Sequence, residues 1–190
     1  MFEELRNTLG LNEDDGLGIR CTKPLVDEDW FPVYATLEIM KNEQVIASIG
    51  TNFYPEEWDD ASIKDVAVRM DDISADEGVA GEAVVKAVSL ECEVQELSEP
   101  TGSVLYVSRI DIEVESNEGK TEAALLRNAG ALFSHATGTT PGTVVMLFAS
   151  WEERLEKAIV SQELTDGETI LKNRDEESLC YVDLRGLEIW

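Results

Sequence analysis

The sequence has 190 residues, and its 40 Asp and Glu against 15 Lys and Arg give a formal net charge of −25. A chain of this length buries enough surface to fold without disulfides or metal ions, so we expect a single domain over residues 1–190. The acid excess excludes direct binding to nucleic acid or to anionic membranes, which both require clusters of Lys and Arg. The sequence also lacks the roughly 20 consecutive apolar residues of a membrane span and the basic, apolar start of a signal peptide, so we expect a cytoplasmic origin.

The first half of the chain predicts a short helix followed by strands. Apolar spacing and turn residues divide it, in order, into a helix over residues 2–11, a strand over 18–24 and a hairpin of strands over 33–40 and 45–54. Residues 63–70 fit a short strand or a helix equally well. The acids, alanines and glycines of residues 71–81 favour a loop.

The second half of the chain predicts two further strands and then alternating helices and strands. The pattern predicts strands over residues 83–97 and 104–115, followed by a helix over 117–137 that Gly138 ends. A buried strand over 143–149 comes next, and a capping box at Ser150 then opens a helix that stops near residue 164. The chain closes with a hairpin over 169–171 and 179–184. The predicted fold class is therefore α+β, with a mostly antiparallel sheet and two or three helices packed on one face.

Motifs that carry catalytic or metal chemistry are missing from the sequence. Zinc sites require Cys and His at short spacings, whereas Cys21, Cys92 and Cys180 lie far apart. We interpret Cys92 and Cys180 as small buried apolar residues. His135 is the one histidine, and its place late on a predicted helix suits a cation at the helix C-terminus. No phosphate-binding glycine loop, nucleophile elbow or calcium loop occurs. We therefore expect no catalytic residue, no cofactor and no metal, and a protein that is not an enzyme.

Several aromatic residues stand in acidic loops or near the end of the chain rather than at the spacing of a core. Exposed aromatic side chains are favoured anchors of protein–protein contacts. The candidate interface residues are Trp30, Phe31, Tyr54, Trp58 and Trp190. For Trp190, packing within the chain is the alternative.

The acids are spread along the whole sequence, and three explanations compete for them. A folded domain this acidic repels itself in dilute salt, and 1 M salt screens that repulsion to a Debye length of about 3 Å. The first explanation is therefore adaptation to near-saturated salt. The second is mimicry of nucleic-acid phosphates toward a DNA-binding protein, and the third is a gain in solubility.

Residues 104–149 resemble the core of the acyl-CoA-dependent N-acetyltransferases in their order of strand, turn, helix and strand. The pyrophosphate loop of that family, R/Q-x-x-G-x-G/A, corresponds here to EGKTEA at residues 118–123. Glu118 replaces the Arg or Gln, and Thr121 replaces the central Gly. The resemblance implies a degenerate acyl-CoA N-acetyltransferase-like protein in which Glu118 would oppose a pyrophosphate.

The plan of the whole chain is similar to that of the tail-terminator and head–tail joining proteins of tailed viruses, which are small α+β proteins that assemble into rings. The shared order is an N-terminal helix, a strand leading into a Pro-preceded strand, a hairpin ending at Ile49-Gly50, a strand running into a helix over residues 110–133, and a closing strand over 181–184. Together with the salt-loving composition, the resemblance implies a non-catalytic virion protein of a halophilic host, assembled in the host cytoplasm. Its partners would be further copies of itself in a symmetric ring and neighbouring virion proteins, joined through edge strands and aromatic residues.

Overall fold

The architecture is a seven-stranded sheet with helices on both faces. The computed structural model describes residues 3–12, 14–22, 33–55, 62–95, 102–113, 118–148, 153–161, 163–172 and 179–187. The elements are, in chain order, α1 (Glu3–Thr8), β1 (Leu17–Thr22), β2 (Val33–Lys41), β3 (Gln44–Tyr54), α2 (Ile63–Ile73), α3 (Ala75–Gln95), β4 (Val104–Ile112), α4 (Glu118–Thr137), β5 (Thr143–Leu147), α5 (Glu153–Val160), β6 (Glu168–Lys172) and β7 (Leu179–Asp183). Among the described residues, no helix is long and apolar enough to cross a membrane.

The strands lie in the order β1-β2-β3-β4-β5-β7-β6. Every neighbouring pair is antiparallel except β4 and β5, which run parallel and are joined through α4. The predicted class, an α+β fold with a mostly antiparallel sheet, is confirmed.

Local sequence explains two of the sharpest changes of direction. The β2–β3 hairpin turns at Asn42 and Glu43, whose φ angles of 49° and 70° match the two-residue turns that follow the twist of a hairpin. Helix α4 ends where Gly138 takes a φ of 78°, in the left-handed region that glycine adopts without steric cost. The predicted role of Gly138 is confirmed.

The sheet separates two apolar cores. One core lies between the sheet and helices α1, α4 and α5, and its fully buried members include Leu37, Ile49, Leu105, Leu125 and Leu132. The other lies between β4, β5, β7 and helices α2 and α3, and it contains Val66, Met70, Val84, Val145 and Val182. Residues that alternate along β4 therefore contribute to opposite cores, as the two-residue period of a strand requires.

The structure corrects the reading of residues 71–97. The strand predicted over residues 83–97 and the loop predicted over 71–81 are wrong, because residues 75–95 form the 21-residue helix α3. Its buried positions Ala80, Val84, Ala87 and Val88 follow helical spacing, and the alternation that suggested a strand is confined to the last residues of the helix. As a result the described part of the chain has five helices on both faces, where two or three on one face were expected.

Candidate functional site

Strands β4 and β5 pair at their beginnings and then part. Residues 104–106 of β4 pair in parallel with residues 143–145 of β5. Beyond this point β4 pairs with β3 as far as Ile112, and the last residues of β5 pair with β7 as far as Leu147. Two strand edges therefore face each other in the middle of the sheet without a ladder between them. Val107 and Met146, which directly follow the paired residues, are fully buried, so a ligand could reach the strand edges only beyond them. Backbone donors and acceptors of strands require partners, and an extended ligand could supply them at this opening.

A bulge marks the place where β4 leaves β5. Across the β3–β4 pair, Gly50 pairs with Arg109 and Thr51 with Val107, so Ser108 is an extra residue on β4. A bulge leaves one residue out of the ladder and bends its strand. Here it turns the second half of β4 just beyond Tyr106, the last residue that pairs with β5.

The half of the sheet beside this bulge is open on the face that α2 and α3 cover elsewhere. A shallow concave surface of about 570 Å³ lies there, and its lining residues are Thr22, Tyr34, Ala35, Thr36, Gly50, Thr51, Asn52, Ser108 and Arg109. The Tyr34 side chain is 42 % exposed, whereas Asn52 is buried. Most of the lining residues carry polar side chains, and among the described residues none of them carries a carboxylate or an imidazole. Such a surface can orient a polar ligand by hydrogen bonds more readily than it can exchange protons with it.

Two ion pairs lie beside this surface. Arg20 Nε donates to Glu38 Oε2 at 2.7 Å, and Arg109 Nε lies 3.1 Å from Asp111 Oδ2. Both pairs are largely solvent-exposed, so each contributes little to stability. Asp111 is the carboxylate that follows the bulge on β4.

The start of α4 differs from the pyrophosphate loop that it resembles. Thr121, in the place of the central glycine, is fully buried, and its hydroxyl donates to the backbone carbonyl of Thr8 at 3.3 Å. Its side chain therefore packs against α1, while Lys120 beside it is exposed. The extra bulk of Thr121 serves the contact between α1 and α4.

A second polar cluster, which the sequence analysis did not identify, surrounds Glu168. Its carboxylate is fully buried and accepts hydrogen bonds from Arg127 Nε at 2.9 Å, Arg127 Nη2 at 2.8 Å, the Thr165 hydroxyl at 2.6 Å and the Tyr181 hydroxyl at 2.7 Å. Burial raises the pKa of Glu168, but the hydrogen bonds from Arg127 and Thr165 outweigh it and hold the pKa at about 2. With its lone pairs occupied, this carboxylate ties α4 to the β6–β7 hairpin and is not available for chemistry.

The predicted interface residues are not brought together in the described part of the chain. Tyr54 is 4 % exposed, and its hydroxyl donates to the buried carboxylate of Glu77, so the expectation of an exposed ring is wrong. The other four, Trp30, Phe31, Trp58 and Trp190, lie outside the described residues. Their interface role stays a prediction.

The histidine and two of the cysteines can be placed. His135 lies in the last turn of α4, where it was predicted. Cys180 is buried, and burial raises the pKa of its thiol to about 11, whereas Cys21 is half-buried. The Cys92 side chain lies outside the described residues.

Comparison with known proteins gives a distant structural likeness. No family model and no curated protein matches the chain. A polyamine N-acetyltransferase of Drosophila melanogaster, which forms N-acetylagmatine, aligns with 77 % of this chain and 73 % of its own at 9 % identity and a TM-score of 0.37. An apo form of an agmatine N-acetyltransferase mutant aligns with 77 % of this chain and 72 % of its own at 9 % identity and a TM-score of 0.33.

These matches bear on two expectations. Both are to acetyltransferases, against the expectation of a protein that is not an enzyme, and that expectation is withdrawn. TM-scores of 0.33–0.37 do not establish catalysis. Neither match is to a tail-terminator or joining protein.

Proposed function

We propose that the chain is an acyl-CoA-dependent N-acyltransferase that holds the acylated arm of the cofactor between β4 and β5. The observation that carries the proposal is the parting of these two parallel strands beyond Tyr106 and Val145. The bulge at Ser108 places the open, polar half of the sheet beside the same opening.

The arm of coenzyme A suits such an opening. It is an extended chain with two secondary amides, each of which brings one donor and one acceptor. Extended ligands add to exposed strand edges through main-chain hydrogen bonds, with little dependence on the side chains of the strand. Recognition of this kind needs no sequence motif, which agrees with the lack of one here.

The nucleotide half of the cofactor should contribute little to binding. Glu118 stands where the related loop has Arg or Gln, and the net charge of −25 opposes the phosphates. The N–H groups in the first turn of α4 and the exposed Lys120 are the favourable contributions. Salt screens the long-range repulsion, so the affinity should rise with ionic strength, contrary to the usual behaviour of phosphate-binding proteins.

The reaction itself balances without a cofactor beyond acyl-CoA. A neutral amine attacks the thioester carbonyl, the C–N bond forms, the C–S bond breaks, and the proton lost by the amine ends on the departing thiol. The strand edges would orient the thioester. On the open half of the sheet, Tyr34, Asn52 and Ser108 would position the amine.

The test is ligand binding by the full chain at 0.1 M and 2 M KCl. S-acetylpantetheine carries the arm without the nucleotide, so we expect both it and acetyl-CoA to raise the thermal unfolding midpoint, and acetyl-CoA to do so more strongly at 2 M KCl. Mass spectrometry of a panel of primary amines incubated with acetyl-CoA should detect an acetylated amine. No shift with either ligand at either salt would refute the proposed site, and binding without acyl transfer would refute the enzyme.

A further inference from the structure

Helices α2 and α3 and the end of β6 line a groove that shares no lining residue with the concave surface beside the bulge on β4. We call it the lysine groove. It has a volume of about 570 Å³, and its lining residues are Lys64, Ala67, Val68, Asp71, Gly78, Val79, Glu82, Ala83, Val85, Lys86 and Lys172. A volume of this size is typical of sites for small organic molecules.

Helices α2 and α3 approach each other closely beside the groove. A Cβ atom on Gly81 would lie 3.1 Å from the Cα atom of Ala67, and one on Gly78 would lie 3.1 Å from the Cα atom of Asp71. Small residues at these crossings let the backbones of α2 and α3 come together. The larger side chains on either side, such as Val68 and Val85, then form the walls.

The walls of the groove are apolar and partly open to solvent. Val68 is 65 % exposed, the largest exposed fraction among the large apolar side chains of the described residues. Val79 and Val85 continue the apolar surface on α3 and are half-buried. An isolated exposed valine needs no explanation, but here three valines line one concave surface.

The charge of the groove is opposite to that of the chain as a whole. Three of the seven lysines of the sequence line it, and they come from three different elements: Lys64 from α2, Lys86 from α3 and Lys172 from β6. Two carboxylates, Asp71 and Glu82, line it as well, so bases exceed acids by one. The whole sequence, by contrast, has 40 acidic residues and only 15 Lys and Arg.

We propose that the lysine groove binds a small organic anion with an apolar body, of the class of medium-chain carboxylates. The valine walls would cover the hydrocarbon part, and the ammonium groups of the lining lysines would hold the carboxylate. Apolar walls with a few convergent polar groups are the usual composition of a small-molecule site. The inference does not depend on acyl-CoA binding, since no residue that lines the groove also lines the concave surface beside the bulge.

Titration of the full chain with decanoate tests the proposal, with isothermal calorimetry as the readout at a fixed 1 M KCl. We expect saturable binding of decanoate and at least about tenfold weaker binding of decanol and of acetate, which lack the charge and the apolar body respectively. Equal binding of decanoate and decanol would overturn the role of the lysines. Binding that does not saturate would overturn the site.

Variants separate the groove from the rest of the surface. We expect about tenfold weaker binding of decanoate by the triple variant Lys64→Gln, Lys86→Gln, Lys172→Gln. The affinity of Val68→Asp for decanoate should fall by a similar factor. Lys157→Gln, on α5 and outside the groove, is the matched control and should bind as the unaltered chain does. Circular dichroism establishes that each variant is folded. If the triple variant does not fold, the single Lys86→Gln change should still weaken binding, and unchanged affinity in that variant would contradict the proposal.

Discussion

Gly50 of β3 lies directly across from the bulge on β4, and a Cβ atom at Gly50 would come within 2.9 Å of the Ser108 hydroxyl oxygen. The same atom would lie 3.1 Å from Cγ of Arg109. The two bulged side chains thus occupy the space that a side chain at position 50 would need. Glycine at this position permits the bulge, and the bulge turns β4 away from β5.

The first prediction concerns this pair. Gly50→Val introduces a good strand former, yet it should destabilise the fold by about 1–3 kcal/mol because the added atoms collide with Ser108. It should also abolish acetyl-CoA binding if the bulge shapes the site. Urea unfolding and the binding assay measure the two effects.

A control and a rescue make this prediction specific. Gly18→Ala, in β1, meets the mobile end of the Met40 side chain at 3.1 Å and should be tolerated. Combining Gly50→Ala with Ser108→Gly removes the shorter of the two contacts and should recover part of the stability lost by Gly50→Ala. Additive effects of the two changes would show that the glycine and the serine are not coupled.

The second prediction concerns the pH dependence that Glu168 confers. Its pKa is about 2 in the folded state against an ordinary value of 4.5, so its contribution is complete above about pH 4.5 and is lost as the pH falls toward 2. The shift corresponds to about 3 kcal/mol. Glu168→Gln should therefore lower the unfolding free energy by about that amount at pH 7, with a difference from the unaltered chain that shrinks between pH 4.5 and 2.

Urea unfolding of both proteins at a series of pH values measures this difference. Comparing the two chains cancels the titration of the many other carboxylates. Asp166→Asn, in the exposed turn just before Glu168, is the control and should change the stability by less than about 0.5 kcal/mol. A gap that stays constant down to pH 2 would contradict the assignment.

The third prediction concerns Tyr54 and Glu77. Burial and the hydrogen bond to Glu77 raise the pKa of Tyr54 well above its ordinary value of 10. The folded state keeps the phenol neutral while the unfolded chain ionises near pH 10, so this contribution to stability is present below pH 10 and is lost as the pH rises above it. Tyr54→Phe should lower stability by about 1–3 kcal/mol at pH 7, because the Glu77 carboxylate loses one of its two hydroxyl donors among the described residues and keeps only Ser74.

The dependence of the unfolding free energy on pH above 10 distinguishes this loss from a simple packing defect. Above pH 10 the unfolding free energy of Tyr54→Phe should fall less steeply than that of the unaltered chain. Tyr34→Phe removes an exposed hydroxyl and should leave the stability at pH 7 unchanged within about 0.5 kcal/mol. Parallel alkaline limbs for Tyr54→Phe and the unaltered chain would be evidence against a neutral, buried Tyr54.

Local sequence predicted the elements whose signals lie within one turn or one strand. The β2–β3 hairpin follows from β-branched alternation around a polar turn, and α4 follows from apolar spacing that Gly138 ends. Helix α3 was missed, and α2 was left open between a strand and a helix. The contact of α3 with α2 is made by Gly78 and Gly81, which have no apolar side chain to contribute to a periodic pattern.

The candidate site could not be predicted from the sequence for a different reason. The parting of β4 and β5 is a relation between strands about 40 residues apart in the chain, and no local pattern encodes where their pairing stops. The one available signal was Gly50, since an isolated glycine inside a strand suggests a bulge or a close backbone approach. The Glu168 cluster joins α4 to β6 and β7 and likewise has no local signature.

The fourth prediction tests the close packing of α2 on α3. In a solvent-exposed helix, Gly→Ala stabilises by up to about 1 kcal/mol. Gly81→Ala should instead destabilise by about 1–3 kcal/mol, because its Cβ would lie 3.1 Å from both the Cα atom and the carbonyl oxygen of Ala67. Ser89→Ala, in the same helix, is the control and should be neutral or slightly stabilising. A stabilised Gly81→Ala variant in urea unfolding would show that the two backbones are not in contact.

The fifth prediction uses salt to separate the explanations of the acidity. The net charge of −25 repels itself, and raising KCl from 0.1 M to 1 M shortens the Debye length from about 10 Å to about 3 Å, so the thermal unfolding midpoint should rise. Light scattering under the same conditions measures the mass. A defined oligomer that forms only in high salt would support the predicted halophilic ring. A monomer whose midpoint is equal at both salts would remove salt adaptation as the cause of the charge and leave mimicry or solubility, because neither of these requires high salt for folding.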